Sequence, residues 1–361
     1  MKVKCERNCK ESVKGFCRMS EIDILADGMC GKYNRKPEFE LFREDNVVVF
    51  DNAGLPSIMV KFTRNPEVPT HPMFIIGGKT YNKIYVSKYP NVIINGKAYS
   101  LPMQQPAVNV TQEEAEEACF SKGDGWHLWT AMERGYIANL CYDTGIFPHG
   151  NTNRGEYHAD CSEKGDCFGG YKTLTGSGPE TWSHDHTVFG IYDLCGNVWE
   201  RFRGLRLKDG ILQVAENNDA AMNIDLSAGS NKWKCLLDSD GEPIRIDAND
   251  GEIKFTTEDE IEEDYDGCYW KDVGFDCEIT DEMKALGLFA GEPEAYIYAD
   301  TSGERLPICG GNWNNGSNAG VFNVNLNNPR SISNSNVGFR SALPSNVRSS
   351  TLMGVVPVQR G

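Results

Sequence analysis

Short apolar runs alternate along this chain with polar, glycine-rich spacers. The runs at 46–50, 57–62 and 83–89 are each bounded by Gly, Pro, Asn or Asp. Apolar runs of that length with those boundaries predict strands. Asp51-Asn52-Ala53-Gly54, between the first two, predicts a hairpin turn. Two stretches then change period. Thr111 is followed three residues on by Glu114, and Thr130 three residues on by Glu133. In each pair the hydroxyl and the carboxylate can close a first helical turn reciprocally. That predicts helices over 113–119 and from Thr130 to about Tyr142, with Gly145 as the stop. Met132, Tyr136, Ile137 and Leu140 fall on one stripe of the second helix, a core face. From Phe147 onward Gly, Asn, Asp and Ser are dense, and the chain reads mostly as loop. Residues 206–300 carry turn signals and an acidic run at 258–266, read as solvated surface.

A different pattern appears near the C-terminus. Between positions 312 and 336, ten of 25 residues are Asn: Asn312, Asn314, Asn315, Asn318, Asn323, Asn325, Asn327, Asn328, Asn334 and Asn336. Asparagine is a poor strand and helix former and a good turn former, so composition alone describes a polar loop. Trp313, Val321, Phe322, Val324 and Leu326 interleave with these residues. Val324 and Leu326 alternate with Asn323, Asn325 and Asn327, the period of a half-buried strand with asparagines outward. A low-complexity surface loop would not need aromatic and aliphatic residues at such spacing.

Composition narrows the function classes. The chain has 361 residues, 40% apolar and 24% charged, with 37 glycines, which suits a loop-rich globular fold. Its net charge of −16 repels a phosphate backbone and argues against nucleic acid as partner. No apolar run approaches the roughly 20 residues of a membrane span. No apolar stretch follows the basic start Met1-Lys2-Val3-Lys4. The expectation is synthesis in a reducing cytoplasm without a signal peptide.

Of 13 cysteines, nine lie scattered after residue 100 and read as free thiols. The other four, Cys5, Cys9, Cys17 and Cys30, cluster in a segment too short and polar to build its own core. Four thiolates can close a tetrahedral zinc shell and supply the missing folding energy. Disulfides formed after release, or four unrelated thiols, remain open.

Three stretches carry a family likeness in order. They are Gly125-Trp126-His127-Leu128-Trp129-Thr130-Ala131-Met132-Glu133, Gly190-Ile191-Tyr192-Asp193-Leu194-Cys195-Gly196-Asn197-Val198-Trp199-Glu200, and Gly310-Gly311-Asn312-Trp313 closing with Gly338-Phe339-Arg340. Together they resemble the formylglycine-generating-enzyme (sulfatase-modifying factor) branch of the C-type lectin fold, over roughly residues 80–343. Within that branch the chain is similar to the variable proteins of phages and prophages that diversity-generating retroelements diversify. Ile84-Tyr85-Val86-Ser87-Lys88-Tyr89, Thr181-Trp182-Ser183-His184-Asp185 and Gly316-Ser317-Asn318-Ala319-Gly320-Val321-Phe322 all read that way. In that family a reverse transcriptase copies a template with errors at adenines, so AAC-type codons scatter across many amino acids.

The resemblance implies an α+β, C-type lectin-like fold with two helices, small antiparallel sheets and long loops. It would follow a Cys-rich module at 1–34 and a strand extension at 35–80, occupy 81–345 with a variable region at about 310–342, and precede a tail at 346–361. It implies a non-catalytic binding protein. Its ten asparagines would form a hypervariable face for a protein or glycan on a cell surface, displayed on a virion. The oligomeric state stays open, as does a purely structural role in a phage tail.

The resemblance also raises an enzymatic alternative, a formylglycine-generating-type oxidase or a related enzyme. The related oxidases carry two reactive cysteines where this chain has roughly Asn315 and Gly320, neither with a thiol to bind copper. A non-haem iron site needs three clustered histidines, and only His184 and His186 are close in sequence. No cofactor for catalysis is therefore expected. One metal does follow from the likeness: a structural calcium on Asp193, Glu200 and the carbonyls of Gly196 and Val198, hard oxygens on one tight loop. The alternative is that Asp193 and Glu200 cap the turn and pair with Arg201 or Arg203.

Overall fold

The computed structural model describes residues 46–261, 264–289 and 295–345, together with the backbone of three short strands, Ser12–Val13, Phe16–Cys17 and Val355–Pro357. The chain divides into two compact units, 1–45 and 46–361. In the first, Ser12–Val13 and Phe16–Cys17 pair as a small antiparallel hairpin. The four-cysteine zinc expectation rests on side chains outside the described residues.

The second unit is mostly β-sheet with few helices, an α+β protein. Both expected helices form, each with its capping box: α1, Gln112–Phe120, and α2, Ala131–Thr144. Gly145 ends α2 in the left-handed conformation at φ 66°. A third, short helix, α3 (Asp281–Ala285), lies in the stretch read as turns. Helices α2 and α3 meet backbone to backbone, and a Cβ on Gly135 would stand 2.1 Å from the Ala285 carbonyl oxygen.

Helix α2 is buried on more than the expected stripe. Glu133 and Arg134 are both fully inside. Glu133 meets His127 Nε2 at 2.9 Å and accepts from Asn218 Nδ2 at 3.0 Å. Arg134 donates to the carbonyls of Leu286, at 3.2 Å, and Val321, at 3.1 Å. Charged groups survive inside only when bonded in this way.

Three larger sheets carry the unit. The first orders its strands His127–Leu128, Ser341–Ser345, Lys83–Ser87, Pro56–Thr63, Asn46–Phe50 and Val355–Pro357. The boundary expected between 80 and 81 therefore runs through a single sheet. The segment expected to be a tail contributes that sheet's last strand.

The second sheet lies within the stretch expected to be loop. It builds on Leu205–Lys208, Ile211–Val214, Arg245–Asn249 and Glu252–Thr256. These strands are four or five residues long and are joined by the tight turns Asp209-Gly210 and Asp250-Gly251, so turn signals are dense and the stretch reads as turns.

The third sheet orders Tyr265–Tyr269, Tyr296–Asp300, Gly320–Leu326, Ile308–Gly310, Trp199–Arg201 and Val337–Phe339. Two of its pairings are parallel, correcting the expectation of antiparallel sheets. Parallel neighbours need a long connection, and the loops here supply it.

Candidate binding face

The Asn-rich segment supplies a central strand of the third sheet, Gly320–Leu326, hydrogen-bonded to Tyr296–Asp300 on one side and Ile308–Gly310 on the other. Val324 and Leu326 are buried in the main core, as are Ile297 and Ala299 on the neighbouring strand. Alternation then sends Asn323, Asn325, Tyr296 and Tyr298 to the opposite face. In the parallel register Tyr298 lies beside Asn325. On the next strand Tyr269 pairs with Tyr296, and Tyr265, on the same face, is 51% exposed.

The tyrosines form a ladder. Ring centroids of Tyr296 and Tyr298 are 4.5 Å apart, and those of Tyr269 and Tyr296 5.0 Å. Gly267 makes room for it: a Cβ there would come within 2.6 Å of Tyr296 Cε1 and 2.8 Å of Tyr298 Cδ1. Burial pushes the Tyr296 phenol up to about 12 and also raises that of Tyr298, so both hydroxyls keep their protons near neutrality. Above the ladder stands the turn Gly316–Asn318. Asn318 Nδ2 donates to the Tyr298 hydroxyl at 3.3 Å, and Ser317 Oγ lies 3.3 Å from the Tyr269 hydroxyl. Nearby on the chain, the Trp313 ring packs on Tyr171 at 4.6 Å, with Lys172 Nζ 5.9 Å from its centre.

The ten asparagines divide. Asn314 and Asn334 are exposed, while Asn315, Asn318, Asn325, Asn327 and Asn336 are half-buried. Asn312, Asn323 and Asn328 are buried, against the expectation that all ten face outward. Each of these has a structural task. Asn312 Oδ1 accepts from the Asn314 amide at 3.0 Å, Asn323 Nδ2 donates to the Asn318 carbonyl, and Asn328 Nδ2 donates to Asn325 Oδ1 at 3.1 Å. A buried amide that bonds its neighbours is scaffold. Asn334 and Asn336 belong to the loop leading into Val337–Phe339, where the Asn336 carbonyl accepts from Trp199 N at 2.8 Å.

The loop expected to hold calcium is organised otherwise. Asn197, which sequence reading left without a role, bonds Thr173 through both ends of its amide, at 2.9 and 3.0 Å, and accepts from Asn151 at 3.2 Å. Gly196 has φ 74°, and a Cβ on it would sit 2.1 Å from the Asn151 carbonyl oxygen. The Glu200 carboxylate accepts from Nε and Nη2 of Arg340, both residues being fully buried. Its partner is thus Arg340 and not Arg201 or Arg203. Arg201 donates to the carbonyls of Val110 and Ile332, and Arg203 pairs with Glu116 at 2.9 Å. Asp193 accepts from Gly176 N at 2.8 Å, and burial pushes its carboxyl up to about 6. Of the set Asp193, Gly196, Val198 and Glu200 expected to hold calcium, Glu200 is engaged through both oxygens by the Arg340 guanidinium, whereas Asp193 Oδ1 is buried without a hydrogen-bond partner. Val198 is core.

Cys309 is a buried strand residue whose thiol burial pushes up to about 12. The nine cysteines of the described residues are free thiols. His184 and His186 sit in a loop, and the His186 ring lies 5.3 Å from His149, a neighbour sequence spacing did not reveal. Among the described residues no group of three His, Cys, Asp or Glu side chains is placed to hold a metal. No helix among them is long and apolar enough to cross a membrane.

No family model and no curated protein sequence matches the chain. Among solved structures the chain is similar to PvdO from Pseudomonas aeruginosa, at 16% identity and a TM-score of 0.36, over 82% of this chain and 98% of that one. At that distance no residue or role is carried from one to the other.

Proposed function

We propose that this protein is a non-catalytic recognition protein whose binding face is the tyrosine–asparagine side of the third sheet. One observation carries the reading: Tyr269, Tyr296 and Tyr298 share a face with Asn325 and with the turn bearing Asn318. Tyrosine with Asn, Ser and Gly is the composition of adaptable protein-binding surfaces, rigid aromatic area beside flexible hydrogen-bonding groups. The finer fold assignment, the formylglycine-generating-enzyme type of C-type lectin fold, belongs to the same proposal and rests on the ordered motifs. So does diversification by a retroelement and a role in phage or prophage host recognition, with a protein or glycan ligand on a cell surface.

The division of the asparagines sharpens the test. Sequencing the DNA beside the gene should reveal a reverse transcriptase and a template repeat mismatched mainly at adenines. Mismatches should fall in the codons of Asn314, Asn315, Asn318 and Asn325 and spare that of Asn323. A locus with neither element overturns the proposal.

A further inference from the structure

A groove of about 930 Å³ lies between α2 and α3 and shares no residue with the tyrosine face. Its walls are apolar and aromatic: Tyr136, Leu140 and Tyr142 from α2, together with Ile279 and with Phe289, whose ring packs edge-on to Tyr142 at 5.2 Å. The volume is within the range, about 300–1,000 Å³, of pockets that enclose a small ligand or a few side chains. Its charge is one-sided. Asp143, Asp281 and Glu282 line it against a single lysine, Lys284, whose ammonium is already 3.4 Å from Asp281. Asp143 and Glu282 face the groove without that cation; Lys234, which lies near Glu282, is itself paired with Glu216 at 2.5 Å. Glu282 is also half-buried, so its carboxylate is short of solvent.

His71 adds no positive charge to offset them. Its Nδ1 accepts from Met73 N at 3.1 Å, which fixes the neutral tautomer with the proton on Nε2. An apolar cleft with an excess of carboxylates over cations at its rim is complementary to a cation carried on an apolar stem.

We propose that this groove docks a basic peptide segment of a partner protein. An arginine or lysine flanked by apolar residues would lay its stem along Tyr136 and Leu140, and its charge would reach Asp143 and Glu282.

The test is fluorescence anisotropy on the full chain. The probe is a labelled pentapeptide carrying arginine between phenylalanine and leucine, alongside a counterpart with glutamine replacing arginine. Saturable binding is expected, weaker by about tenfold or more for the glutamine peptide and for the Asp143→Asn, Glu282→Gln double variant. Binding should be unchanged in an Asn314→Ala, Asn318→Ala variant. Circular dichroism melts establish that both variants stay folded. Three results would each overturn the proposal: no saturable binding, equal binding of both peptides, or binding insensitive to the two carboxylates. Concentration-dependent dimerisation abolished by the double variant would also overturn it, by making a second copy the occupant.

Discussion

Arg340 and Glu200, 140 residues apart in sequence, form a fully buried ion pair in which Nε and Nη2 of the guanidinium both donate to one carboxylate. Arg340 also donates to the carbonyls of Ser87 and Tyr192, each at 3.0 Å. It thereby ties the first sheet, through Ser87, to the Gly190–Glu200 loop region. Replacing Arg340 with Met leaves the Glu200 charge buried and unpaired. The expected loss is about 3–5 kcal/mol, read from the midpoint of urea unfolding at constant m. The calcium-selective chelator EGTA should leave the melting temperature of the parent protein unchanged.

The asparagines should separate by energy as they do by burial. Asn323→Ala removes a fully buried amide that bonds the Asn318 carbonyl beneath the Gly316–Asn318 turn. A cost of about 1–3 kcal/mol is expected. Asn314→Tyr, at an exposed position, should stay within about 0.5 kcal/mol of the parent. Equal losses for both would show that the exposed asparagines are structural after all. Thermal melts of the two single variants decide this.

Stability should rise with pH above neutrality because of one lysine. Lys122 is fully buried, its ammonium 3.3 Å from the centre of the Trp126 ring and 2.8 Å from Ser57 Oγ. Burial pushes it down to about 7 from its ordinary 10.5. Between those values the unfolded chain binds more protons than the native one. Stability therefore increases across the window by up to about 1.4 kcal/mol per pH unit, and the cost of burying the charge persists below it. Lys122→Met should flatten that slope. Subtracting the two pH profiles cancels the tyrosines, which titrate in both proteins.

Gly135→Ala tests the contact between α2 and α3. Alanine is the better helix former by about 1 kcal/mol. The added methyl would nonetheless meet the Ala285 oxygen at 2.1 Å and Leu286 Cα at 2.8 Å. Backbone cannot step aside as a side chain can, so a net loss of about 1–3 kcal/mol is expected by urea unfolding. A stabilised variant would mean the two helices separate freely.

The parts legible in sequence were those set by local chemistry. Thr111 with Glu114, and Thr130 with Glu133, announced their helices because each capping box closes within four residues. Arg340 looked only like the end of a motif, since nothing local names a partner 140 residues away. The tyrosine ladder escaped because Tyr269 and Tyr296 reach the Asn-rich strand through sheet pairing, from a stretch read as turns. A usable signal was there: Tyr296-Ile297-Tyr298-Ala299 alternates aromatic and aliphatic residues with period two. The buried asparagines were misjudged for a different reason. Polarity suggests exposure, whereas an amide that bonds its neighbours can sit inside, as those of Asn312, Asn323 and Asn328 do.

The Gly320–Leu326 strand is paired along both edges, so its backbone was fixed when the protein folded. Binding loops commonly surrender conformational freedom when they close on a ligand, and that loss subtracts from affinity. Here a ligand would meet side chains on an already ordered frame. A single well-placed aromatic replacing the half-buried Asn325 of that strand would then register almost its whole contact energy. Exchanging one such residue for another would alter what is recognised while leaving the fold that presents it intact.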